Sequence, residues 1–157
     1  MKRHEQLKPL SRQHHNGLLM ALLLTKGIKK KADVKVMNDF IRQGWIDELK
    51  EHFDAEETVL IPALHGSSFS PQLTERLLAE HHDLRLLIKK ATELSASEDD
   101  IICFSGLLEK HIRFEEKIYF PEAESHLSEQ KLLEIGKKLA ETSKEKNCIN
   151  YPVTFWE

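Results

Sequence analysis

Cysteine is nearly absent from this chain. The 157 residues hold two, Cys103 and Cys148, widely spaced and in no CxxC pair. That excludes a disulfide scaffold or a thiolate zinc finger, and the expectation is two free thiols in a reducing compartment. Six glycines, five prolines and 7% aromatics, with few β-branched residues, fit helices better than strands. Neither sign of charge dominates. A net charge of -3 supplies no cationic surface for a phosphate backbone, which argues against nucleic acid as a partner. The longest purely apolar run, LLMALLL at 18–24, falls far short of a membrane span. The opening MKRHEQLKPLSRQ has no signal-peptide hydrophobic region. A cytoplasmic protein that enters no membrane is expected.

What the chain does have is helical periodicity. Apolar residues recur at three- and four-residue spacing from about Leu10 to Lys30, Val34 to Leu64, Pro71 to Leu94 and Asp99 to Ser125. A shorter fifth segment runs from about Ser128 to Thr142. Start signals lie in the breaks: Ser70 before Pro71, the capping-box-like SEDD at 97–100, and Asp33 and Ser128 as caps. The breaks are short, so neighbouring segments should run antiparallel. The expectation is an all-α fold, an up-down-up-down four-helix bundle with a short fifth C-terminal helix and a tail. Residues 1–142 read as the bundle and 143–157 as the tail. Tyr151, Phe155 and Trp156 are expected to pack on the bundle, with a partner-binding tail as the other reading. Pro62 and Pro121 lie deep in apolar patterns, where each should kink its helix or end it early.

One pattern occurs twice. HFDAEETVLIPAL (52–64) and HIRFEEKIYFPEA (111–123) both read His-x3-Glu-Glu-x4-Pro. Four-residue spacing puts His52 with Glu56, and His111 with Glu115, on one helical face. Trp45, Leu49, Val59 and Leu60 share the first face, and Phe104, Leu107, Leu108 and Phe114 the second, so both pairs point into the core. A buried carboxylate is expensive unless it is paired, protonated or bound to metal. His81 is flanked by Leu77, Leu78, Leu84 and Ile88 and faces inward as well. In the first segment His14 and His15 are adjacent and cannot both do so. His14 has Leu7, Leu10, Leu18 and Ala21 on its stripe, which favours it over His15. Neighbouring histidines balance about each turn to within about three residues, roughly 4–5 Å at the helical rise. Antiparallel packing would therefore bring four histidines and two glutamates to one level.

Four imidazoles and two carboxylates suit a binuclear site for iron, manganese or zinc. Glu56 and Glu115 would bridge, with His14 and His52 on one ion and His81 and His111 on the other. His15 is the alternative ligand on the first helix. Glu57 and Glu116 are either solvated or outer partners of the ligands. His82 is expected to face solvent or a neighbouring helix. The absence of Glu-x-x-His rules out a ferritin-type site, and the absence of HExxH a zincin.

Through SRQHHNGLL, HFDAEETVLIPAL, AEHHDLRLL and HIRFEEKIYFPEA, over about residues 7–126, the chain resembles the hemerythrin family, in particular the bacterial HHE cation-binding domains. The resemblance implies a non-heme di-iron centre with carboxylate bridges and an oxo or hydroxo bridge. Oxygen-carrying hemerythrins have a second histidine four residues after the one on the third helix, where this chain has Arg85. Their last carboxylate comes five residues after its histidine rather than four. The remaining set is similar to that of di-iron proteins that repair iron–sulfur clusters.

Three functions compete at this level. The first is binding or sensing of a small diatomic or peroxide ligand (oxygen, nitric oxide or peroxide), or iron handling. The second is a di-iron redox enzyme reducing peroxide or nitric oxide, or repairing iron–sulfur centres. The third is a metal-poor helical interaction module that docks an unknown protein partner through the C-terminal tail.

Overall fold

The computed structural model describes residues 2–142, 149 and 151–157, and Cys148 lies outside them. A single 3-10 turn, Glu5–Leu7, leads into α1, Lys8–Lys29. The second helix, α2, covers 34–64 as α segments Val34–Gly44, Lys50–Ala55 and Ile61–Leu64, joined by π turns at Trp45–Leu49 and Glu56–Leu60. Pro71–Thr92 forms α3. The fourth, α4, covers 98–126 as Glu98–Phe114, a π turn at Glu115–Tyr119, and Phe120–His126. Glu129–Thr142 forms α5. No strand occurs among the described residues, and no helix there is long and apolar enough to cross a membrane. The fold is the expected antiparallel bundle of four helices with a short fifth.

The turns explain the register. Asp33 caps α2 by accepting from the Lys35 N–H, and Ser97 and Asp100 form a reciprocal capping box on α4. Ser70 occupies the position before α3 without a capping bond, and Pro71 at the first helical position supplies the start signal instead. Helices α1 and α3 end in left-handed residues, Lys31 at φ 55° and Leu94 at φ 57°. In both cases the following amides turn back onto the last helical turn, Ala32 N–H to Gly27 O and Ser95 N–H to Lys90 O. Asn38, fully buried, ties the α3–α4 turn to α2. It accepts from the Ala96 N–H at 2.9 Å and donates to the Ala96 carbonyl at 3.0 Å and to Val34 O at 2.7 Å.

Neither proline ends its helix where it stands. Pro62 and Pro121 have no N–H, and their rings crowd the carbonyl four residues back. The chain responds by widening the turn before each one. Ile61 N–H reaches Glu56 O, and Phe120 N–H reaches Glu115 O, each five residues back rather than four. The helices then continue, to Leu64 and to His126.

The core is in two parts. One cluster includes Met20, Leu24, Met37, Phe40, Leu84 and Phe104; the other includes Leu10, Leu60, Leu77, Phe114, Tyr119 and Phe120. Each long helix passes from one cluster to the other at a polar residue: His14 on α1, His52 to Glu56 on α2, His81 on α3, and His111 to Glu115 on α4. A polar layer thus crosses the bundle at mid-height. At one end Tyr151, Phe155 and Trp156 gather on Phe40. At the other, α5 adds Leu132, Ile135 and Leu139 to the second cluster.

Candidate metal centre

All six inward residues are buried. Glu56, Glu115 and His81 are completely so, and His14, His52 and His111 are at most 4% exposed. His15 is exposed on the outside of α1. Single donor atoms from His14, His52, Glu56 and Glu115 lie within 4.8 Å of one another, and so do those from Glu56, His81, His111 and Glu115. The two groups share both glutamates. Among the described residues no other such group of His, Cys, Asp and Glu occurs.

The outward nitrogens of the imidazoles are all engaged. His14 Nδ1 lies 2.6 Å from Glu116 Oε1, and His52 Nδ1 2.6 Å from Gln13 Oε1. His81 Nδ1 lies 2.8 Å from Glu57 Oε2, and His111 Nδ1 2.8 Å from Glu80 Oε1. Facing acceptors, each Nδ1 carries the proton, which assigns a lone pair to each Nε2. These partners form a ring around the bundle. Each comes from the preceding helix in the order α1, α2, α3, α4, with α4 closing on α1. Three are clamped by arginines: Glu57 by Arg85 at 2.7 Å, Glu116 by Arg3 at 2.9 Å and Glu80 by Arg76 at 3.1 Å. Aromatic faces hold two rings flat. Phe53 stacks on His81 with centroids 4.1 Å apart, and Phe120 on His14 at 5.3 Å.

The inward side is a set of acceptors without donors. Both oxygens of Glu56 and Glu115, and Nε2 of His81 and His111, are buried with no hydrogen-bond partner. His52 Nε2 lies 3.2 Å from Glu56 Oε1, His81 Nε2 3.4 Å from the same oxygen, and His14 Nε2 3.1 Å from His52 Nε2. In the tautomers assigned, these contacts are lone pair against lone pair. Burial chiefly pushes the His14 imidazole down to about 4, outweighing the bond to Glu116, and burial likewise lowers His111. Cation binding needs imidazole lone pairs and carboxylate oxygens together, and the layer gathers those donor types in one place. Unpartnered buried carboxylates carry an effective penalty of several kcal/mol per ion, and a cation between the acceptors removes it. The residues fit a metal pair.

The model of the hemerythrin HHE cation binding domain matches residues 4–123. The chain belongs to that family. No curated protein and no solved structure matches it. In this HHE domain the mixed nitrogen and oxygen donor set suits a transition metal. The single described cysteine, Cys103, is free and exposed, away from the layer.

Arg85 does not reach the layer. It lies outside, on Glu57, with its guanidinium 5.5 Å from the Phe53 ring. A small cavity does reach it, about 10 Å³ between α1, α2 and α4, bordered by His14, His52, Gly17, Leu49, Phe53 and Ile112. That volume is near the threshold for one water-sized molecule. Gly17 leaves the space open, since a Cβ there would lie 2.6 Å from Ile112 Cδ1.

Two participants, Gln13 and Glu80, belong to no motif of the sequence. The signal was available: each directly precedes an inward histidine. Each serves the histidine of the next helix, however, and that pairing exists only once the helices are packed.

Proposed function

We propose that this HHE domain holds two iron ions in its polar layer and binds or senses a small oxidant such as oxygen, nitric oxide or peroxide. His14 and His52 would hold one ion, His81 and His111 the other, and Glu56 and Glu115 would bridge them. The observation that carries the reading is the convergence of buried, unpartnered acceptor atoms into two four-residue groups sharing both glutamates. Iron in such a site supplies reversible one-electron change and open coordination positions. The chain's own contribution is to fix the four imidazoles through their Nδ1 partners and to keep the layer dry between two apolar clusters. The cavity beside His14 and His52 admits only a very small molecule, which favours a diatomic or peroxide ligand over an organic substrate.

A second reading, redox turnover of peroxide or nitric oxide, is favoured by Arg85. It stands where oxygen-carrying hemerythrins have a third imidazole, and its side chain lies on Glu57, so the His81/His111 position would have two imidazoles. Iron-loaded, anaerobic protein mixed with oxygen, nitric oxide or peroxide separates the two. A change in absorption that reverses on removing the ligand supports binding; repeated consumption of peroxide or nitric oxide supports catalysis. Protein whose spectrum responds to none of them contradicts both.

A further inference from the structure

The ring of outer partners is nearly symmetric, and the departure from symmetry falls on one residue. Gln13 precedes His14 as Glu80 precedes His81, and Glu57 follows Glu56 as Glu116 follows Glu115. Exchanging α1 and α2 with α3 and α4 therefore exchanges the two metal positions. Under that exchange Gln13 stands where the other half has Glu80. His81 and His111 both donate to carboxylates at 2.8 Å, whereas His52 donates to a neutral amide at 2.6 Å and only His14 to a carboxylate.

An anionic acceptor on Nδ1–H draws the proton outward and makes Nε2 a stronger donor to metal; an amide does so less. The arginines temper this without cancelling it. Arg76 binds the Glu80 oxygen that His111 does not use, Arg85 shares Glu57 Oε2 with His81, and the two arginines are 50% and 34% exposed, where solvent screens them. We infer that the two metal positions of this chain are unequal and that Gln13 sets the difference: the His81/His111 position fills first, and the His14/His52 position fills second and more weakly. This rests on the binuclear reading above.

The test is anaerobic calorimetry of Fe(II) added to the metal-free full chain. Loss of one such outer partner typically costs 10–100-fold in affinity and an amide in place of a carboxylate costs less, so the wild type should show two steps up to about tenfold apart. Shared bridges also couple the steps, and variants that change an outer partner but leave Glu56 and Glu115 in place separate the two effects. Gln13→Glu should tighten the second step and close the gap; a gain in affinity does not arise from a merely damaged fold. Glu80→Gln should close the gap from the other side by weakening the first step. Uptake of two ions in one wild-type step, or a gap that either variant leaves unchanged, overturns the inference. A chain that takes up no iron fails the binuclear reading itself, and its empty isotherm is distinct from both.

Discussion

Arg85 Nη2 lies 2.7 Å from Glu57 Oε2, the same oxygen that accepts from His81 Nδ1 at 2.8 Å. The residue standing where oxygen-carrying hemerythrins place a ligand histidine thus acts on the layer indirectly, through a carboxylate. A half-exposed ion pair contributes about 0–1 kcal/mol. Arg85→Ala should leave two ions bound per chain and weaken uptake by no more than about fivefold. Glu57→Ala, which frees the His81 ring, should weaken it about 10–100-fold. Equal losses in the two variants, read by metal titration, would contradict the indirect role.

The glutamates should have the larger effect, because each belongs to both groups. Glu115→Ala removes one oxygen donor from each position at once, while alanine suits the helix. Bound metal should fall from about two ions to one or fewer, with helical circular dichroism retained. Two ions still bound would show that Glu115 does not bridge.

The metal-free chain should lose stability in mild acid. His14 is held down to about 4 in the folded chain by burial, against about 6.5 unfolded. As pH falls from about 6.5 to 4, the unfolded chain therefore binds the proton that the folded chain refuses. The stabilisation is full above this window and lost through it, on the order of 3 kcal/mol. Glu116, held at about 2 against desolvation by His14 and Arg3, keeps most of its contribution until lower pH. Urea midpoints of metal-free protein should drop between pH 7 and pH 5, and His14→Leu should flatten the slope. A flat wild-type profile contradicts this account.

The α3–α4 turn offers a prediction independent of metal. Asn38→Leu leaves the Ala96 N–H and carbonyl buried without the side chain that pairs them. Each unsatisfied buried group costs about 1–3 kcal/mol, so a loss of at least about 2 kcal/mol in denaturant unfolding is expected for the two. A loss within 0.5 kcal/mol, the usual range for an unremarkable surface change, would contradict it.

Some of this was legible in the linear chain and some was not. Helices α1 to α5 follow from apolar spacing and caps, because each signal is local to one helix. The meeting of His14, His52, His81 and His111 at one level also follows, since the helical rise turns residue counts into height. The widened turns at Glu56 and Glu115 did not follow. Proline signals a lost bond, but whether a helix kinks, stops or takes a π turn depends on what holds the far side, and here both apolar clusters do. The ring through Gln13, Glu57, Glu80 and Glu116 depends on which helix lies beside which. Glu57 and Glu116 stood out only because they adjoin Glu56 and Glu115. Arg85 read as a missing ligand, and its bond to Glu57 appears only in three dimensions.

Metal content of the native protein tests the central claim most directly. Purified without added metal and without chelator, the chain should carry about two iron ions, falling to one or none in Glu115→Ala. Wild-type protein that holds about zero metal and takes up none when iron is supplied would contradict the account.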